Sequence, residues 1–230
     1  MISRFGLLRR ASGLSREDFD RHWRRSHGPL AAKFPGLRAY YQHLIVDDEQ
    51  FGIDHARGPW SLDGFSELYF DDIDSMLSAV SSSEFSGALA DEDGFLEDVH
   101  VVACEKHVVV PAELGDGPFV KRMTLLKRLP GMAFTDFCHE WLEVHAWWVR
   151  QWPNVLGYVQ NLVIDRYHNS RTESSTYDEV PVDGIVEFWF RNKEQAAELY
   201  ASNIVTQTQK HARIFLDEIT PFFVETRRIV

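Results

Sequence analysis

Two histidines stand at matching places in this chain, and both could act as general bases. His27 ends a Phe-x3-Trp-x3-His pattern, and His145 ends a second copy of that pattern. A tyrosine follows each of them in the next apolar run, Tyr40 in the first copy and Tyr158 in the second. A neutral imidazole can take a proton from a carbon beside a carbonyl group while a tyrosine hydroxyl donates to the developing enolate oxygen. The two pairs therefore predict proton-transfer chemistry.

Each histidine also has a structural interpretation. An imidazole close to the end of a helix can donate to a backbone carbonyl, and its charged form is favoured there by the helix dipole. Recurrence in both copies does not separate the two interpretations, because duplication alone explains it. Both interpretations stay open for His27 and His145.

The histidines recur because the chain of 230 residues contains one unit twice. The stretch 19–47 returns 118 residues later as 137–165. Phe19, Trp23, His27, Pro35, Tyr40, Gln42, Leu44 and Asp47 meet identical residues at Phe137, Trp141, His145, Pro153, Tyr158, Gln160, Leu162 and Asp165. A long period that occurs only twice indicates two copies of a domain instead of a solenoid. The predicted bounds are 1–110 for the first domain, 111–118 for a turn-rich linker and 119–230 for the second domain.

Each copy predicts the element order β-α-β-β-α-β. In the first copy the strands are expected at 2–10, 37–47, 64–70 and 99–110, with a helix capped by Ser15 and a second helical stretch at 72–90. We expect Gly28-Pro29 to kink or end the first helix. This order is that of the ferredoxin-like unit, whose sheet has helices on one face only. Two such units can bury their bare sheet faces against each other, which predicts an α+β fold closed as a pseudo-dimeric α+β barrel.

Aromatic and polar residues near the histidines are candidate substrate-binding groups. Trp23 and Trp141 share a helix face with the histidines, and Trp148 joins that face because the second copy lacks a proline after its histidine. Gln42 and Gln160 share a strand face with the tyrosines. These side chains are expected to contact a flat hydrophobic or aromatic-derived substrate. Packing in the core is the alternative for Trp23 and Trp141.

Composition excludes several classes of function. A net charge of −11 without long basic runs argues against nucleic acid as a partner. The two cysteines stand at non-equivalent positions, and no cysteine or histidine spacing typical of a metal site occurs, so we expect no bound metal. No Gly-rich nucleotide motif is present. No apolar run is long enough to span a membrane and the N-terminus has no export signal, so we expect a cytoplasmic protein that does not bind membranes.

These motifs resemble the EthD family of dimeric α+β barrels. The resemblance lies in Phe-x3-Trp-x3-His on the first helix, Pro-Gly-Leu-x2-Tyr at 35–40 and Glu-Leu-Tyr-Phe at 67–70. It covers each copy nearly end to end, and the second copy departs from it at 154–155, where Asn-Val replaces Gly-Leu.

The resemblance also implies a set of site residues. Methylmuconolactone isomerase, the best understood type of member, uses no cofactor and has a helix histidine, a strand tyrosine, a loop histidine and a strand cysteine in its pocket. The helix histidine and strand tyrosine match the two pairs described above. His55 and His168 are the candidates for the loop histidine, and Leu68 and Phe188 hold the place of the cysteine.

We therefore predict a cofactor-independent isomerase or lyase that acts by proton transfer on a small lactone, enol or aromatic-derived metabolite. The internal pseudo-dimer leaves open whether two chains pair further. One alternative is a non-catalytic protein that binds a small hydrophobic ligand in a catabolic pathway. The other is a haem-binding α+β barrel, in which His27 or His145 would be the axial ligand.

Overall fold

The strands of the two copies form one closed antiparallel barrel. The computed structural model describes residues 1–168 and 173–230. Its strands are β1 (Ile2–Arg10), β2 (Ala39–Asp47), β3 (Gly64–Phe70), β4 (Leu96–Val110), β5 (Val120–Arg128), β6 (Gly157–His168), β7 (Gly184–Phe190) and β8 (Leu216–Arg228). Their order around the barrel is β1-β3-β2-β8-β5-β7-β6-β4. The predicted pseudo-dimeric α+β barrel is confirmed, and the copies are joined by pairing β2 with β8 and β4 with β6.

The helices lie outside the barrel, after the first and third strand of each copy. The first copy has α1 (Arg16–His22), a π-helical stretch (Trp23–His27), α2 (Gly28–Ala31), α3 (Ile73–Val80) and α4 (Ser83–Glu92). The second copy has α5 (Phe134–Cys138), a π-helical stretch (His139–His145), α6 (Ala146–Val149), α7 (Lys193–Tyr200) and α8 (Asn203–Ala212). The Ser15 hydroxyl accepts from the Asp18 amide at 3.0 Å, so the predicted cap of the first helix is confirmed.

Gly28-Pro29, which was expected to kink or end the first helix, lies within a helix that continues beyond it. Gly28-Pro29 does not end the helix, because α2 continues to Ala31. The π-helical stretch ends immediately before this point, so Pro29 falls in the first turn of α2.

The inside of the barrel contains a buried polar network that crosses between the copies. The His43 ring lies 2.8 Å from a Glu67 carboxylate oxygen and 2.9 Å from the Thr226 hydroxyl. Lys121 and Glu187 form a buried ion pair at 2.5 Å. Burial alone raises the pKa of Glu67, but His43 and Lys121 lower it to about 2. The closest charged pairs therefore lie within one copy, and Lys121 adds a charge from the other copy that also acts on Glu67.

A separate apolar core lies between helices and sheet in each copy. Trp23 is fully buried in the first core and Trp141 in the second. The rings lie over Gly64 and Gly184, the first residues of β3 and β7. A larger residue at either glycine would occupy the space of the tryptophan ring, so the strand start fixes where the helix can pack.

Gly64→Ala is expected to destabilise the fold, because a Cβ atom at residue 64 would lie 2.7 Å from the Trp23 ring. Such overpacking costs about 1–3 kcal/mol. Gly87→Ala is the matched control, since nothing surrounds this glycine in the middle of α4, and a gain of up to about 1 kcal/mol is expected. Urea denaturation measures both variants. A Gly64→Ala variant as stable as the wild type would contradict this packing.

Candidate functional site

The larger of two equivalent cavities lies under the helices of the second copy. Its volume is about 60 Å³, whereas the equivalent cavity of the first copy has about 20 Å³. A cavity needs roughly 10–15 Å³ to hold one water molecule. The second-copy cavity can therefore admit the atoms of a small ligand, while the first has room for little more than one water. We call them the second-copy cavity and the first-copy cavity.

The second-copy cavity has an aromatic wall. Trp152 and Phe188 stack with ring centres 5.4 Å apart and planes 5° from parallel. Phe188 also stacks on Tyr158 at 4.4 Å, and Trp141 lies beside them in the lining. Ile53, from the long loop of the first copy, closes part of the cavity. Such a surface fits a flat apolar body.

His145 lines this cavity and is held by a chain of two further side chains. Its Nδ1 lies 3.3 Å from Nδ1 of His211, and Nε2 of His211 lies 3.0 Å from a Glu140 carboxylate oxygen. His145 ends the second π-helical stretch, and Glu140 lies one turn earlier on the same helix. Burial, followed by the nearby His211 and His55, lowers the pKa of His145 to about 3. The His145 imidazole is therefore neutral near pH 7.

The first copy has the same geometry with the charges exchanged. One Asp91 oxygen lies 2.9 Å from Nε2 of His22, and the other lies 3.1 Å from Nδ1 of His27. His27 lines the first-copy cavity. Burial lowers the pKa of His27, although Asp91 opposes that effect. The contacts run from His22 through Asp91 to His27 in the first copy. In the second copy they run from Glu140 through His211 to His145.

Arg122 lies in the lining of the second-copy cavity and was not predicted from the sequence. Arg122 is 2% exposed, and its Nη2 donates to the Tyr200 hydroxyl. Its Nε and Nη1 have no acceptor within the described part of the chain. The guanidinium carbon lies 4.4 Å from the ring centre of Tyr200 and 5.3 Å from that of Phe188. Burial lowers the pKa of Arg122 to about 9, while Tyr158 opposes that effect.

The two glutamines predicted to bind substrate have another role. Gln160 Nε2 donates to the Trp141 carbonyl at 2.7 Å and to the Tyr158 hydroxyl at 3.0 Å. Gln42 makes the same bonds in the first copy, at 2.8 and 3.0 Å. Neither glutamine lines its cavity. Both hold a carbonyl of the π-helical stretch and fix the direction of the tyrosine hydroxyl. Burial raises the pKa of Tyr158, so its hydroxyl keeps its proton.

Most of the other predicted residues lie in one cavity or the other. Trp23, Tyr40 and Leu68 line the first-copy cavity, as Trp141, Tyr158 and Phe188 line the second.

Trp148 was predicted to join the second set, but it lies outside the lining, against the exposed Trp147. The π-helical stretch has more residues per turn than an α-helix, so the buried face continues at Val149 and Trp152.

The two predicted loop histidines are not equivalent. His55 belongs to the first copy, but it lies beside Ala212 and lowers the pKa of His145, so it belongs with the second-copy cavity. The loop that carries it crosses the barrel, and its Asp54 amide donates to Gln209 at 2.9 Å.

His168 is an exposed residue at the end of β6, opposite His100 of β4, and lines neither cavity. Residues 169–172, which follow β6, lie outside the described residues.

Three residues of the site escaped the sequence analysis. Arg122 was recognisable, because Arg4 stands at the equivalent position and both lie in apolar strands. Glu140 and His211 left no such signal, since their counterparts His22 and Asp91 are of different types. Only the packing of α8 on the π-helical stretch brings them together.

Among residues 1–168 and 173–230 no cluster of three or more histidine, cysteine or acidic side chains could hold a metal ion. None of the described helices is both long and apolar enough to cross a membrane.

A closed antiparallel barrel with a helix-covered cavity in each half defines a duplicated α+β barrel protein. The sequence pattern of the EthD domain matches residues 11–98 and 129–219, which is more than half of the chain. The chain therefore belongs to the EthD family, with one domain in each copy.

Solved structures with the same fold are distant in sequence. An anthrone oxidase-like protein is 10% identical with a TM-score of 0.66, over 99% of this chain and 93% of its own. A candidate monooxygenase from Lactobacillus acidophilus is 9% identical with a TM-score of 0.56, over 100% and 94%. A variant chlorite dismutase from Candidatus Nitrospira defluvii is 11% identical with a TM-score of 0.51, over 97% and 91%. No curated protein matches the chain. These similarities establish the fold alone.

Gln160→Met is expected to lower the free energy of unfolding by about 1–3 kcal/mol, because the buried Trp141 carbonyl would lose its side-chain donor. Gln42→Met should have a similar effect through Trp23. Gln151→Met, at an exposed position near the end of the same helical region, is the control and should change little. Urea denaturation of the three variants provides the comparison. Equal stability of Gln160→Met and Gln151→Met would contradict the positioning role.

His145 is expected to make the fold sensitive to acid. Its pKa is about 3 in the folded chain and about 6.5 in the unfolded chain, so only the unfolded chain gains this proton between those values. Protonation of His145 in the unfolded chain therefore lowers the free energy of unfolding below about pH 6.5, and this loss grows as pH falls towards 3. His145→Gln should lose less stability than the wild type between pH 7 and pH 5 in urea denaturation. If the wild type and His145→Gln lost the same stability between pH 7 and pH 5, the fold would not be keeping His145 neutral.

Proposed function

We propose that the second-copy cavity is an active site in which His145 moves a proton at a carbon beside a carbonyl group. The protein would then be an isomerase or lyase for a small lactone, enol or aromatic-derived metabolite. The observation that carries the proposal is the chain of hydrogen bonds from Glu140 through His211 to His145.

This chain selects the form of His145 that a base requires. A carboxylate only accepts, so Nε2 of His211 carries the proton that is donated to Glu140. In neutral His211 the other nitrogen, Nδ1, is then an acceptor and receives the proton on Nδ1 of His145. Nε2 of His145 is left with a free electron pair. It can take a proton from a ligand and return it to another carbon of that ligand.

Two donors can stabilise the negative charge that such a step creates. The Tyr158 hydroxyl keeps its proton, and its orientation is fixed by Gln160. Arg122 lies close enough to Tyr158 for each to influence the pKa of the other. Preorganised donors of this kind are most effective where water is excluded, and the aromatic wall excludes it here.

The chemistry is assigned to the second copy because of space. His27 and Tyr40 stand at equivalent positions, but their cavity of about 20 Å³ has no room for a substrate. A structural role therefore fits His27, with the Asp91 carboxylate as its partner instead of a backbone carbonyl.

Haem binding does not fit the second-copy cavity. Clefts that hold drug-sized ligands have volumes of about 300–1,000 Å³. The cavity beside His145 has about 60 Å³, and Trp152 and Tyr200 would have to leave it to admit a porphyrin. His145 is therefore not assigned as a haem ligand. A non-catalytic binding protein is the remaining alternative, and the experiment below separates it from an enzyme.

The test is deuterium exchange from solvent into two enolisable probes, phenylpyruvate and α-angelica lactone, followed by proton NMR. The wild type is expected to accelerate exchange, and His145→Gln should reduce that acceleration by about 10²–10⁴-fold, the usual contribution of a general base. His27→Gln is the matched variant in the first copy and should retain it. Thermal unfolding checks that both variants fold. Exchange in the wild type no faster than in His145→Gln would reject catalysis by His145 and favour the binding protein.

A further inference from the structure

The charge of Arg122 is not balanced by any carboxylate in the described chain. The guanidinium is buried among aromatic rings, and its one hydrogen-bond partner is the neutral Tyr200 hydroxyl. A buried cation without a counter-charge destabilises a fold unless something else pairs with it. The remaining N–H groups of Arg122 therefore indicate a negatively charged acceptor that the described chain does not supply.

The first copy supplies that group itself. Arg4 stands at the position equivalent to Arg122, and both Arg4 and Glu92 line the first-copy cavity. Burial lowers the pKa of Arg4, and the negative charge of Glu92 opposes this effect. In the first copy the arginine at this place therefore has a carboxylate charge near it.

The second copy lacks this carboxylate. The match of Phe95-Leu96 with Phe215-Leu216 fixes the alignment and places Ala212 opposite Glu92. Ala212 lines the second-copy cavity, on the side where Glu92 lines the first. Exchange of glutamate for alanine removes a negative charge and leaves space in the same step. This accounts for both the larger volume and the unpaired guanidinium.

We propose that the second-copy cavity takes an anionic ligand, a small aromatic or cyclic carboxylate, whose carboxylate group pairs with Arg122 in the place that Glu92 occupies in the first copy. The guanidinium supplies the charge-assisted donors that carboxylates prefer. The stacked pair of Trp152 and Phe188 receives the flat part of the ligand. The first-copy cavity is closed to such ligands because it is smaller and because the negative charge of Glu92 already lies near Arg4.

This inference rests on the proposed function in taking the second-copy cavity as the ligand site, and it adds the substrate class. The carboxylate holds the substrate at Arg122, so that the reacting carbon lies towards His145. The inference is tested by binding, without any catalytic readout. Failure of His145 to catalyse exchange would leave the binding result intact, so the two failures are distinguishable.

The test compares benzoate with its neutral relative benzamide by isothermal titration calorimetry of the whole chain. The wild type is expected to bind one benzoate per chain, at least tenfold more tightly than benzamide. Ala212→Glu restores the carboxylate of the first copy and should weaken benzoate binding at least tenfold.

Arg122→Met removes the charge while keeping an unbranched apolar side chain. The variant is expected to unfold at a urea concentration no lower than the wild type, because replacing an unpaired buried cation by an apolar group is neutral or stabilising. It should bind benzoate no better than benzamide. Wild-type binding of benzoate no tighter than of benzamide would mean that water alone solvates Arg122, and would overturn the proposal. Retained preference for benzoate in Arg122→Met would overturn it as well.

Discussion

The architecture depends on pairing the free edges of two sheets. A four-stranded ferredoxin-like sheet leaves one face bare and two edges with unpaired backbone groups, both of which favour association. Pairing β2 with β8 and β4 with β6 removes all four edges and turns both bare faces into the inside of a barrel. Because the edges are shared, charged residues of the two copies meet inside, as the ion pair between Lys106 and Glu187 at 3.9 Å illustrates.

The same closure makes the second-copy cavity a joint product of both copies. Ile53 and His55 belong to the loop after β2, yet they lie at the cavity of the other copy. The backbone of this loop pairs with β8 through Ala56 and Glu218, so its position is set by the barrel. An isolated second domain would retain His145 and Arg122 but would lack this wall. The environment that lowers the pKa of His145 therefore includes residues of both copies.

Duplication kept the scaffold and released one cavity from its structural constraints. The tryptophan over a glycine and the glutamine bound to a π-helical carbonyl occur in both copies with nearly the same distances. The charged residues around them differ, with Glu140 and His211 in place of His22 and Asp91. The largest difference is the loss of the Glu92 carboxylate at Ala212, since a charge removed from a low-dielectric site changes which ligand the site favours.

The sequence by itself determined the duplication, the element order and the barrel, because the hydrophobic periodicity and the repeated motif are local properties of the chain. It also placed His145 and Tyr158 on the faces that meet at a cavity. It misplaced Trp148, because a π-helical stretch changes which residues share a helix face. The hydrogen bond that Gln160 donates to this stretch joins residues that are far apart in the sequence, so a local pattern does not reveal it. The sequence did not show that Gln160 lies outside the cavity lining or that His55 lies near His145 of the other copy. The exchange of charged partners around His145 and the unpaired state of Arg122 were decided by tertiary structure alone. Which side chains contact each other depends on how separate helices and strands pack, and no local sequence pattern encodes that packing.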